Sequence, residues 1–261
     1  MRPHIRPGER SAGLMHILRS PAIEIARRLA RSHRAGALSG AGMSAESGIP
    51  TFRSGAGALW RDYRPEQLAT PEAFASDPAL VWGWYRSRIE ALQTAEPNAG
   101  HVALVRIAAA IPAFSVVTQN VDGLHAAAGS PDVIELHGNI RRTRCIGCGA
   151  VDDYRPSDLA IPRCGCGALL RPDVVWFGEA LPAHALERAH IAATSAAVFF
   201  IAGTSAVVYP AAGLADVAKE GGAFVVEINP EQTDASRRCD LSVRAKTGEF
   251  LPLVADALAS M

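Results

Sequence analysis

The sequence has no apolar run near the roughly 18 residues that a bilayer-spanning helix needs, which excludes a membrane span. It also has no net charge: 26 basic residues stand against 26 acidic ones. That balance removes the electrostatic case for nucleic acid, an anionic membrane or a bulk acidic substrate. Lysine is nearly absent, with Lys219 and Lys246 the two among 26 basic residues, which reflects genomic composition and no function. Aromatic residues make up 6% and are few around the cysteines, which speaks against a nucleic-acid adaptor. Neither H-E-x-x-H nor G-x-S-x-G occurs, so a zinc-hydrolase helix and a serine nucleophile elbow are both missing. There is no internal repeat and no low-complexity tract.

What is present is a chain of 261 residues, 49% apolar, enough for one full-sized domain with a smaller appendage. Charge is uneven along it: Met1 to Arg34 carries eight Arg and two acids, or +6. Residues 1–15 are rich in Arg, Pro and Gly without apolar period, and read as a flexible extension or an early start codon. Ser11 to Met15 is too short and weak for the apolar core of a secretory signal, so a cytoplasmic protein is expected. From Ser20-Pro21 the pattern turns helical, with Pro at the first helical position and Ile23, Ala26, Leu29 and Ala30 as a buried stripe.

Short apolar strands are then predicted at 35–38, 114–118, 133–136, 196–202, 224–228 and 241–244. Helices are predicted at 77–94, 98–110, 211–219 and 250–260. Strands almost free of polar residues, alternating with helices, indicate an α/β fold with a parallel sheet covered on both faces. Two stretches interrupt it, one helical at about 53–100 and one Cys-rich at about 139–178.

Polar residues gather where these strands end, as a ligand outside the carboxyl ends of a parallel sheet requires. Gly40, Ala41, Gly42 and Ser44 follow the first strand, in a loop whose glycines let backbone N–H groups approach a pyrophosphate. The strict G-x-G-x-x-G is broken by Ala45, and alone the loop also reads as an ordinary tight turn. Gln119, Asn120, Asp122 and His125 follow the second strand, and His137-Gly138 the third. Amide, carboxylate and imidazole groups at neighbouring strand ends can contact a ribose and move a proton, although a lone His there is also a common structural hydrogen-bonder. Gly203, Thr204 and Ser205, then Asn229, Pro230 and Glu231, end the last two long strands.

Cys145, Cys148, Cys164 and Cys166 form C-x2-C, fifteen residues, then C-x-C, close to zinc-ribbon spacing with the second knuckle one residue short. Four thiolates close the coordination shell and leave no place for water, so the expected Zn2+ is structural, one per chain. Cys239 stands apart and reads as a small buried apolar residue.

Taken in order, these motifs resemble the sirtuins. The resemblance rests on Gly40-Ala41-Gly42-Met43-Ser44, Ser47-Gly48-Ile49-Pro50-Thr51-Phe52-Arg53 and Thr118 through His125. It continues with His137-Gly138, the four Cys, Pro172 through Glu179, Gly203-Thr204-Ser205 and Asn229-Pro230-Glu231. It runs from about Arg19 to the C-terminus. It implies a Rossmann-like NAD domain (16–52, 101–138 and 178–261) and a small domain made of a helical insertion (53–100) and a zinc-ribbon module (139–177). It implies NAD cleavage, with an acyl group passing from a lysine side chain to ADP-ribose and nicotinamide released. By the same resemblance His137 is the general base on a ribose hydroxyl. Asn120 and Asp122 hold the ribose, the nicotinamide pocket and a water. Ala41, Phe52, Arg53 and Gln119 line the nicotinamide side. Ser205, Asn229 and Glu231 receive the adenosine half, with Thr247 nearby. The acyl-lysine protein substrate adds as a strand against Val175, Trp176, Phe177, Gly178 and Glu179.

In Trp82 through Arg88, Tyr85 and Arg88 are three apart and share a helix face. This Y-x-x-R is similar to that of class III sirtuins, where the pair binds an acyl carboxylate, and Ala69 matches the small residue widening their acyl pocket. A bare Y-x-x-R would instead mean a core Tyr and a solvated Arg. The resemblance therefore implies a desuccinylase and demalonylase with weaker deacetylase activity. Rival readings are a mono-ADP-ribosyltransferase and a non-enzymatic zinc-ribbon, NAD-sensing regulator.

Overall fold

The computed structural model describes residues 7–51, 65–155 and 161–261. The first helix, α1 (Pro7–Leu29), begins earlier than the sequence suggests and takes in residues 7–15, expected as a flexible extension. Pro21 stands inside it rather than at its first position. Leu18, Ala22, Ile25, Ala26 and Leu29 are all buried, so one packed stripe continues across the proline and holds the helix through its missing hydrogen bond. No helix among the described residues is long and apolar enough to cross a membrane.

Six parallel strands make the main sheet: β1 (Arg34–Ser39), β2 (Ala113–Thr118), β3 (Val133–Glu135), and, after a second sheet described below, β7 (Val198–Ala202), β8 (Phe224–Ile228) and β9 (Leu241–Val243). Their spatial order is β3-β2-β1-β7-β8-β9. Chain direction across the sheet therefore reverses between β1 and β7, and a crevice opens there at the carboxyl ends, the place where doubly wound folds bind ligand. One face is covered by α1, α6 (Ala99–Ala109) and α10 (Thr247–Ala259), whose Leu104, Ile107, Phe250 and Val254 meet Phe200 and Val226. The other is covered by α8 (Ala183–Thr194) and α9 (Leu214–Glu220), which pack on Phe199, Ile201 and Val225. Each such large apolar side chain contributes roughly 1.5–3 kcal/mol on burial.

Helix α8 is not among the predicted elements. Its buried positions are the alanines Ala189 and Ala193, which barely contrast with its other residues. The segment predicted as one helix at 211–219 is a 3-10 turn, Ala211–Gly213, followed by α9.

A second, antiparallel sheet has order β5-β4-β6, from β4 (Gly138–Cys145), β5 (Val151–Asp153) and β6 (Leu170–Val174). Short helices α2 (Ala41–Ser44), α3 (Pro65–Leu68), α4 (Pro71–Ser76) and α7 (Leu124–Ala127), a second 3-10 turn (Ala45–Ser47) and the longer α5 (Pro78–Ala91) complete the described elements. Thr70 and Asp77 cap α4 and α5 through their side chains, each followed by proline. Helix α5 docks on the second sheet: Trp82 Nε1 donates to the Leu170 carbonyl at 2.8 Å, and Trp176 Nε1 donates to the Tyr85 hydroxyl at 2.9 Å. Residues 175–179 are not a strand, because Glu179 N–H donates to the Trp176 carbonyl at 3.0 Å and Gly178 has φ +86°, which makes a tight turn.

Candidate active site

A cleft of about 780 Å³ runs from the crevice at β1 and β7 to the turn after β6. At its centre the chain after β1 and the chain after β7 touch: Gly42 N–H donates to the Gly203 carbonyl at 2.7 Å. A Cβ on Gly42 would lie 2.8 Å from that carbonyl oxygen, and one on Gly203 would lie 2.3 Å from Met43 N. The loops can close this far only as glycine, and the result is a backbone cradle of the kind that admits a pyrophosphate. Gly40, Ala41 and Gly42 line one side, and Gly203, Thr204 and Ser205 the other.

Buried polar side chains set the floor. Asn120 spends both amide hydrogens on fixed partners, the Gly40 carbonyl and Ser44 Oγ, each at 3.0 Å. Ser44 Oγ donates to Asp122 Oδ2 at 2.7 Å, and Leu124 N–H donates to Asp122 Oδ1 at 2.9 Å. Asn120 lines the cleft, whereas Ser44 and Asp122 lie behind it, both buried. Arg141, on β4, holds the same loop by donating to the Asp122 carbonyl and the Leu92 carbonyl, each at 3.0 Å.

His137 sits where the chain passes from the main sheet into the second. The crossing requires glycine at the next position: Gly138 has φ +78°, and a Cβ there would lie 2.1 Å from the Asp173 carbonyl oxygen. Val175 N–H donates to the His137 carbonyl at 2.9 Å, while His137 Nδ1 meets the Gln119 carbonyl oxygen at 2.9 Å. Burial pushes the imidazole pKa down, and the bond to Gln119 partly restores it.

Beyond the cradle, at the β8 side of the cleft, Asn229 Nδ2 donates to the Thr204 carbonyl at 3.1 Å and Gln119 Nε2 donates to Thr204 Oγ1 at 3.0 Å. Asn229, Glu231 and Thr247 line the wall there, and the buried Thr247 hydroxyl has no hydrogen-bond partner among the described residues. An orphaned hydroxyl at a cleft wall fits a ligand that supplies the missing partner. Phe52 and Arg53 lie outside the described residues.

The opposite end brings together Ala69, Trp84, Tyr85 and Arg88 with the turn residues Val175, Trp176, Phe177, Gly178 and Glu179. The Arg88 guanidinium carbon lies 4.5 Å from the Trp84 ring centre. Burial raises the Tyr85 pKa and lowers that of Arg88, with each opposing the other's shift. Glu179 faces its own turn: its carboxylate pairs with Arg171 and accepts from Trp176 N–H at 2.8 Å. Phe177 N–H donates to the Ala69 carbonyl at 2.9 Å, tying the turn to the loop before α4.

Beside the second sheet, Cys145 at the end of β4 and Cys148, Cys164 and Cys166 in the loops that follow place their sulfurs within 4.8 Å of one another. Cys145 and Cys166 are 3.5 Å apart, and Cys148 and Cys164 3.7 Å. Sulfurs about 2.3 Å from a tetrahedral zinc stand about 3.8 Å apart, so the four are arranged to bind one zinc. The N–H groups of Gly147 and Cys148 both donate to Cys145 Sγ at 3.4 Å, as a knuckle turn provides. Cys239 is partly buried against the α8 and α9 core, and burial pushes its thiol up to about 12.

Sequence reasoning missed several residues of this cleft. Trp84, one position before Tyr85, belongs to it, as do Glu46 after β1 and Val208 and Tyr209 beyond Ser205. The lining also continues from Glu231 through Gln232, Thr233 and Asp234. The polar composition of 229–234 was the available signal.

Comparison with known proteins gives the same picture. The family model described as "Sir2 family" matches residues 40–210. The NAD-dependent protein deacylase of Aquifex aeolicus is 51% identical over 224 residues, 85% of this chain and 93% of that protein. That of Pyrococcus furiosus is 49% identical over 243 residues, covering 90% and 97%. Among solved structures, an ADP-ribose complex of a Sir2 homologue superimposes with TM-score 0.87 at 44% identity, covering 91% of this chain and 96% of the other. A Sir2 homologue solved with NAD gives 0.84 at 45%, covering 91% and 93%. With the family model matching more than half of the chain and relatives 51% and 49% identical along most of its length, the chain belongs to the Sir2 family, the sirtuins.

Proposed function

We propose that this protein is an NAD-dependent protein-lysine deacylase of the cytoplasm that removes succinyl and malonyl groups, with weaker deacetylase activity. The acyl group passes to ADP-ribose and nicotinamide is released. Relatives named NAD-dependent protein deacylases support the general activity. The acidic-acyl preference rests on one observation: His137, Tyr85, Arg88 and Ala69 line a single cleft that has the glycine cradle at its centre.

NAD, when bound, supplies the ribose carbon that takes the acyl oxygen as nicotinamide leaves. The chain's own residues supply the rest. Gly40, Gly42 and Gly203 admit the pyrophosphate, and Asn229, Glu231, Ser205 and Thr247 hold the adenosine half. Asn120, with both amide hydrogens engaged, offers its carbonyl oxygen as an acceptor. The buried Asp122 carboxylate, fixed by Ser44 and Leu124, favours cationic character beside it. His137 takes a ribose hydroxyl proton as general base. Tyr85 and Arg88 receive the acyl carboxylate, Arg88 through its planar fork, and Ala69 leaves room for the chain. The substrate backbone enters as an extended strand against residues 175–179, of which Val175 and Trp176 precede the turn.

In this reading residues 16–52, 101–138 and 178–261 bind the dinucleotide, while 53–100 and 139–177 hold the acyl-lysine. A charge-assisted hydrogen bond contributes about 1.5–3 kcal/mol, so an acidic acyl would be preferred over acetyl by about ten- to 150-fold. The test is a panel of acyl peptides incubated with and without NAD and read by mass. O-acyl-ADP-ribose formed faster from succinyl and malonyl than from acetyl peptide supports the proposal. A protein gaining ADP-ribose identifies a mono-ADP-ribosyltransferase, and NAD binding without turnover identifies a regulator.

A further inference from the structure

Beyond the residues that line the cleft, β8 carries a carboxylate in its interior. Glu227 is fully buried, with 0% exposure, at a strand position otherwise occupied by apolar neighbours. Burying a charge is costly unless every acceptor lobe is satisfied. Here the carboxylate accepts from the Thr233 hydroxyl, from the Ser236 hydroxyl at 2.6 Å and from Arg244 Nη1 at 2.7 Å. The three donors come from the two segments that follow β8 and β9.

The same set reaches into the loop from Asn229 to Ser236. Arg244 donates to the Glu231 carbonyl at 3.0 Å and to Ser236 Oγ at 3.0 Å, while Ser236 Oγ also accepts from Thr233 N–H at 2.9 Å. Glu231 N–H closes onto Asn229 Oδ1 at 3.1 Å. Asn229, Glu231, Gln232 and Thr233 face the cleft, whereas Glu227, Ser236 and Arg244 do not line it. The buried carboxylate is thus the common anchor of a loop whose outer side forms one wall of the site.

We infer that Glu227 is a positioning residue for the adenosine half of the dinucleotide, acting through the loop that it and Arg244 hold in place. The inference rests on the proposed NAD-dependent activity and extends it to a residue with no contact to the ligand. Glutamine at this position keeps the shape but removes the charge and turns an N–H toward a donor. The loop then loses its fixed form and the adenosine end its preorganised contacts.

The experiment measures ADP-ribose affinity by calorimetry, together with KM for NAD, KM for acyl peptide and kcat, on zinc-loaded full-length protein carrying Glu227→Gln or Ser236→Ala. The expected result for Glu227→Gln is a roughly tenfold weaker ADP-ribose affinity and a matching rise in KM for NAD, with kcat at saturating NAD and KM for peptide within about twofold. Ser236→Ala, which removes one hydroxyl outside the cleft and guards against a folding failure of the first variant, should give a rise of about threefold. ADP-ribose affinity within twofold of wild type in the folded variants, or a fall in kcat with KM for NAD unchanged, overturns the inference. Wild-type protein that binds neither NAD nor ADP-ribose overturns the proposed function itself, and the positioning role with it.

Discussion

His137 Nδ1 lies 2.9 Å from the Gln119 carbonyl oxygen. A carbonyl only accepts, so Nδ1 carries the hydrogen and Nε2 keeps its lone pair, which is the tautomer a base requires. The bond also fixes the ring plane at the seam between the two sheets.

The pH profile should show this base directly. Burial lowers the His137 pKa, so the neutral, competent form persists to more acid pH than in an ordinary histidine of pKa about 6.5. The acid limb of kcat/KM should therefore have its midpoint below about 6.5, with a plateau above it. His137→Ala should lose about 100- to 10,000-fold in kcat. A midpoint above about 6.5, or a variant retaining half its activity, would refute the assignment.

Acyl selectivity is expected to reside in Arg88 and the ring beneath it. The guanidinium stands 4.5 Å from the Trp84 ring centre, and Trp84 meets Tyr85 edge-on at 4.8 Å, so the three side chains brace one another. Arg88→Met should lower desuccinylation by about ten- to 150-fold while sparing deacetylation. Trp84→Ala should give a smaller loss in the same direction. If both activities fell equally with Arg88→Met, the arginine would be structural and the acidic-acyl preference unfounded.

The main sheet was legible in the sequence because its strands are short, apolar and separated by helices, a contrast that periodicity detects. Helix α8 was hidden for the opposite reason, since its buried face is alanine. Pro21 fits a helix start by sequence, but packing of Leu18 against the core carries α1 through it. In the site, His137 and the glycines stood out by residue type and by their order along the chain. Glu227 could not, because a lone glutamate in an apolar strand gives no sign of hydroxyls that arrive from six and nine residues later.

Zinc should be required for the cleft and not only for the module that holds it. The metal-binding sheet carries Arg141, which grips the Asp122 loop, and leads directly into the turn that holds Trp176, which grips Tyr85. Removing zinc with a chelator should abolish activity and change tryptophan emission, since Trp82 and Trp176 both dock across that boundary. Elemental analysis should find one zinc per chain, lost in Cys148→Ser. Full activity in metal-free protein would contradict this coupling.

Acid should destabilise the fold through a buried histidine pair. His101 and His125 have ring centres 4.7 Å apart and are both buried. His101 Nδ1 accepts from Asn98 N–H at 3.3 Å at the start of α6, and His125 Nε2 is 2.8 Å from Ser39 Oγ. Burial lowers their pKa values to about 4 and about 3, with His101 lowering that of His125 further. Above the unfolded value of about 6.5 both states are neutral and stability is whole. As pH falls from there toward 4, the unfolded chain binds two protons that the native chain refuses, a slope of up to about 2.7 kcal/mol per pH unit. Denaturant midpoints should therefore drop from pH 6.5 to 5, and drop less steeply in the His101→Gln, His125→Gln double variant. A wild-type midpoint that stays flat across that range would mean that both imidazoles titrate normally in the folded protein.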